Sequence, residues 1–175
     1  MSRAAVRAEV ASWFATPAIQ GLQTVFRAAP TYIDGEDWAP IQGDFWGATG
    51  YVHIHEHSES RIALGGATGG IKQVTYAMAL VLLFRWVIPD GASSTSFDGR
   101  PDGWADAFDS LVDNVTARIR QDRTFNASLP TGGSIFQAGE GRNDLKITTD
   151  LPKIDDGQVV VWTSFDFEVI EMISG

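Results

Sequence analysis

A chain of 175 residues, 44% hydrophobic and 20% charged, has the composition of a globular protein and the length of one domain able to bury a core. The absence of cysteine excludes a disulfide framework, thiol catalysis and Cys-ligated zinc or iron–sulfur centres. A net charge of −9 argues against gripping a nucleic-acid backbone, where affinity comes chiefly from lysines and arginines that displace counterions.

The opening Met1-Ser2-Arg3 lacks the apolar core of a signal peptide, which places the chain in the cytoplasm when it is made. Residues 2–15 read as an amphipathic helix. Ser2 suits the N-cap, and Val6, Val10, Trp13 and Phe14 recur at the 3–4 spacing of one apolar stripe, with Arg3, Arg7 and Glu9 off it. Thr16-Pro17 closes the helix, because the residue before proline is pushed out of the helical region. A short strand is expected at 23–28, ended by Pro30.

Residues 31–50 carry the turn formers Asp34-Gly35, Pro40, Gly43 and Gly47 around embedded aromatics and read as a long folded loop. Such aromatics most often pin a loop to the core. Left exposed, they would mark a binding surface, and Trp38, Phe45 and Trp46, with Phe97 in a later loop, are the candidate interface residues.

Residues 51–64 alternate as a strand, with Val52 and Ile54 on one face and His53, His55 and His57 on the other. Three imidazoles on one face, with Glu56 and Glu59 beside them, could hold zinc or copper. Against this, three successive same-face positions spread over too great a length of strand, at about 3.3 Å per residue, to reach one ion without bending. The expectation is therefore no metal, with a His53–His55–His57 metal site or small metal-dependent enzyme as the alternative. Residues 65–72 superficially resemble a phosphate-cradling loop, but Ile71 stands where the lysine belongs and a strand follows in place of a helix. No cofactor is expected.

Residues 69–89 form the central stretch: a glycine pair, then a long run rich in β-branched and aromatic residues. Ala77-Met78-Ala79-Leu80 would suit a helix start, but the near-continuous apolar run to Ile88 fits a strand in a sheet covered on both faces. Lys72, Gln73 and Arg85 leave it well short of the roughly 20 apolar residues of a membrane span. The polar loop that follows carries Asp98, Asp102 and Asp106, which miss calcium-loop spacing and suit helix capping. The helix expected at 103–122 places Trp104, Phe108, Leu111, Val112, Val115 and Ile119 on one face, with acids early and Arg118 and Arg120 late.

Beyond it, a loop with Pro130 leads to Ser134-Ile135-Phe136-Gln137-Ala138-Gly139-Glu140-Gly141, a strand near 144–151 and an Asp155-Asp156-Gly157 turn. The last strand, 158–173, alternates Val159, Val161, Phe165, Phe167 and Val169 against Trp162, Ser164, Asp166 and Glu168. Together these elements predict a single α+β domain over 1–175: a mainly antiparallel sheet of long strands with two principal helices packed against it. No nucleophile beside a base and no acid pair suited to proton transfer can be located, so no catalytic residue and no enzyme activity are expected.

Gly69-Gly70-x-Lys72 opening a long strand with Tyr76, the acidic-start helix ending in Ala117-Arg118-Ile119-Arg120, Ile135-Phe136-Gln137-Ala138-Gly139-Glu140, and the final Phe165-to-Ile173 strand form an ordered set. That set, over residues 1–28 and 69–173, resembles the tail terminator proteins of long-tailed phages infecting actinobacteria. The resemblance implies a structural virion protein at the head-proximal end of the tail. It would form a homo-oligomeric ring, a hexamer in that family, capping the tail tube and meeting the head-completion (stopper) protein. Genomic DNA would pass through the hole without specific binding, and no membrane would be involved. The aromatic loop and the histidine strand lie outside the matching pattern. An interaction module with no assembly role is the other alternative.

Overall fold

The computed structural model describes residues 3–31, 46–62, 70–87, 103–125, 134–139, 144–155 and 158–174. The expectations for Trp38, Phe45, Phe97, the glycine-rich connection at 65–69 and capping by Asp98 and Asp102 fall outside them. In chain order the elements are α1 (Arg3–Ala15), β1 (Leu22–Phe26), β2 (Trp46–Ile62), β3 (Ile71–Val87), α2 (Gly103–Gln121), β4 (Ser134–Gly139), β5 (Lys146–Thr149), β6 (Lys153–Asp155) and β7 (Gln158–Ser174). The result is the predicted α+β architecture, with two helices and a seven-stranded, mostly antiparallel sheet among the described residues.

The sheet runs β1-β2-β3-β7-β4, with β5 and β6 also paired to β7. β3 is the central strand that its composition predicts. It pairs antiparallel with β2 along one edge and, from Ile71↔Ser174 to Val87↔Gln158, with β7 along the other. The second edge of β7 is taken by three short strands in succession, β4 against Glu168–Met172, β5 against Thr163–Asp166 and β6 against Gln158–Val160. β1 adds in parallel to the start of β2, from Leu22↔Ala48 to Phe26↔Tyr51.

Alternation along β3 decides where the core sits. Val74, Tyr76, Met78, Leu80, Leu82, Phe84 and Trp86 are buried, and so are Val159, Val161, Phe165, Phe167 and Val169 of β7 on the same face. Both helices pack there: Phe14 of α1 lies 6.1 Å from Phe167, and Phe108 of α2 lies 5.4 Å from Phe84. Both described helices thus lie on this one face, where the sequence analysis expected cover on both. Val81, Leu83 and Arg85 on the opposite face are half-buried, and no described helix lies over them. The apolar run of β3 reflects aliphatic residues tolerated on that half-exposed face.

Three further differences have local causes. The strand begins at Trp46, inside the expected loop, because the indole packs on Phe84 (5.9 Å) and over the Cα of Gly21, leaving no room for a side chain there. Trp46, one of the candidate interface residues, is thus a partly buried side chain packed against the core. Lys153–Asp155 forms a strand too short to carry a period. Arg118, expected on the outer face of α2, is only 7% exposed. Its guanidinium lies 3.7 Å over the Trp13 ring and donates to the carbonyls of Trp13 (3.0 and 2.8 Å) and Thr16, carbonyls left without partners at the end of α1.

Candidate functional site

The chemistry-bearing residues singled out by the sequence lie on β2, and a β-bulge decides how they are arranged. Ile54 opposes Met78 and Glu56 opposes Ala77, so His55 is the extra residue and the alternation of faces reverses beyond it. His53 pairs with Ala79 on the half-exposed face, whereas His57 pairs with Tyr76 on the helix side, their rings stacked 6.2 Å apart. The expected common face of His53, His55 and His57 therefore does not form.

His53 and His55 remain neighbours, ring centroids 4.7 Å apart and edge to face. His55 Nε2 stands 3.4 Å from Asp166 Oδ1 on β7. Since Ala79 is the register partner of both His53 and Asp166, the His55 side chain crosses β3 above a methyl group, and Ala79 is fully buried. Ser164 Oγ donates to the same Asp166 oxygen at 3.1 Å. Hydroxyl and imidazole are thus both directed at one carboxylate. Burial, and then the positive charge of His55, Arg3 and Arg7, lowers the pKa of His53 below its ordinary value. Among the described residues no group of three or more His, Asp or Glu is placed to hold a metal ion.

The helix-side face, next to His57, contains a polar pair that sequence reasoning missed. Glu171 is fully buried, and Tyr76 donates its hydroxyl hydrogen to Glu171 Oε2 at 3.0 Å. Glu171 Oε1 has no hydrogen-bond partner among the described residues. Burial, followed by the adjacent Glu171 carboxylate, raises the Tyr76 phenol well above its ordinary range. Only the parity of the C-terminal strand signals this, since Glu171 continues the apolar series 159–169 in step.

Two surface features complete the description. Beyond the end of β1, the outer edge of β2 from Val52 to Ile62 has no strand partner among the described residues. One contact to it is made by α1, where Arg3 Nη2 reaches the Ile54 carbonyl at the bulge (3.5 Å). No described helix is long and apolar enough to cross a membrane.

No family model and no curated protein matches this chain. One solved structure aligns over 97% of this chain and 96% of its own at 17% identity, with a TM-score of 0.40. A likeness that loose carries no argument about function.

Proposed function

We propose that this chain is a structural assembly protein, the tail terminator of a long-tailed phage, which closes a homo-oligomeric ring on the end of the tail tube and receives the head-completion protein. The observation that carries the reading is the outer edge of β2, where Val52 to Ile62 has no strand partner among the described residues. A long strand edge of this kind is a template for another chain, and proteins that remain monomeric usually cover or blunt it. The other side of the sheet ends differently, in the short strands β4, β5 and β6. Contacts between two unlike edges are head-to-tail, and they close a ring when the rotation permits. The net charge of −9 suits a hole through which DNA slides without adhering. The ordered resemblance of the two helices and long strands to that family supplies the particular assembly and its hexameric form.

Electron microscopy of tails from the parent particle, with antibody against this chain, is the test. Label at the head-proximal end of the tail is the expected result. Its absence from that end overturns the assignment whatever the protein's state in solution.

A further inference from the structure

On the side of the sheet away from the helices lies a small open hollow of ≈ 180 Å³. Its lining is Val81 of β3, Trp162, Thr163 and Ser164 of β7, and Thr148 and Asp150 at the end of β5. The ladder explains where it forms. Val81, Ser164 and Thr148 make one cross-strand row, and all three side chains are short. The next row carries the half-buried Trp162, and the Asp150 N–H continues the ladder by donating to the Trp162 carbonyl at 2.9 Å. A row of short side chains beside one large ring leaves a depression, with the indole as one wall and Asp150 on its outer side.

The groups around this hollow restrict what it can hold. Ser164 gives its hydroxyl hydrogen to Asp166 Oδ1 at 3.1 Å, so what it still offers is acceptor capacity. Thr148 is exposed, and its hydroxyl can both donate and accept. The Asp150 carboxylate is also exposed and forms no ion pair among the described residues. Formal charges on this face balance: against Asp150 and Asp166 stand Lys146, the register partner of Asp166, and Lys153, the partner of Val160. Arg85, farther along, is held by Gln158 Oε1 at 3.2 and 3.0 Å. An anion would meet a carboxylate in the hollow itself, and a cation would be opposed by a lysine on either side. A wholly apolar guest would strip water from the carboxylate and hydroxyls without replacing it. The remaining class is a neutral molecule with an apolar face for the indole and hydroxyl groups on its rim.

We propose that the hollow is a subsite for one pyranose ring of a carbohydrate. The C–H face of the sugar stacks on Trp162, whose electron-rich ring face attracts the polarised hydrogens. One sugar hydroxyl donates to the Asp150 carboxylate, a second donates to Ser164 Oγ, and Thr148 supplies a donor at the rim. The space suits a single ring, and the polar groups lie on one side of it, which gives orientation as well as contact. The site lies on the open face, apart from the outer edge of β2, and does not depend on ring assembly.

The test is titration of the whole protein with methyl glucopyranoside, methyl galactopyranoside and methyl N-acetylglucosaminide, followed by nitrogen–proton correlation spectra. The chain has 6 tryptophans, and the signal lost in Trp162→Phe identifies the Trp162 indole N–H. That signal is expected to move saturably with at least one glycoside while the indole signal of the buried Trp86 stays still. Asp150→Ala, a change at an exposed position, should weaken the response at least about tenfold, the factor that one hydrogen bond to a charged group is worth. No movement with about 100 mM of each glycoside, far above the millimolar range expected of one open subsite, overturns the proposal. An undiminished response in Asp150→Ala also overturns it, as does movement of the Trp162 signal at lower concentrations of methylguanidinium or inorganic phosphate than of any glycoside.

Discussion

Tyr76 and Glu171 show how much one hydrogen bond can carry when both partners are buried. Removing the phenol leaves a carboxylate out of water with neither oxygen partnered, which costs about 1–3 kcal/mol, whereas removing both polar groups is nearly neutral. Tyr76→Phe is therefore expected to lower unfolding free energy by that amount in urea titrations, and Tyr76→Phe/Glu171→Leu to recover part of it. A double variant as low as the sum of the singles would show the two groups to be uncoupled. His53 acts in the opposite sense, on the acid side. Its folded pKa lies below the ordinary value of 6.5, so below that pH the unfolded chain takes up a proton that the folded chain resists. Stability should fall as pH drops from 6.5 toward the folded value, and His53→Gln should flatten that part of the profile in thermal unfolding followed from pH 7 to 5. A slope unchanged by the substitution would place its origin elsewhere.

At the scale of elements, periodicity told most where a segment had one wet and one dry side. α2 was legible because Phe108, Leu111, Val115 and Ile119 repeat at helical spacing, and all four are buried. Phe108→Ala and Leu111→Ala should each cost about 2–5 kcal/mol by chemical denaturation, the usual range for deleting core side chains of this size. Losses below about 1 kcal/mol, as at surface sites, would contradict their place under the helix. The two long strands flanking the centre were legible in the same way. The bulge in β2 was not, because one inserted residue reverses the faces while the sequence His53-Ile54-His55-Glu56-His57 keeps alternating. Arg118 differs for a related reason: the period locates a position on the helix but not the carbonyls at the end of α1 that accept hydrogen bonds from a buried guanidinium there. Replacement of His53, His55 and His57 together by Asn should leave the fold intact, with no stoichiometric zinc or copper in protein prepared without chelator. One tightly held ion per chain, lost in the triple variant, would restore the metal reading.

For the whole molecule, the pairing of β3 with β7 sets the order in which the parts become available. The strand at the centre of the sheet finds one neighbour, β2, close by in the chain, but its other full-length neighbour comes only after α2, β4, β5 and β6. On the ribosome, then, the chain must wait with an apolar strand edge open until its last long segment has emerged, and closure is a single late event dominated by distant contacts. Proteins of that kind fold in milliseconds to seconds, far slower than helical bundles. A nascent chain arrested before Gln158 should be digested by protease along its whole length, β2 and β3 included, and become resistant in one step once β7 is exposed. Early protection of the β2–β3 hairpin would mean that the first half is a folding unit in its own right.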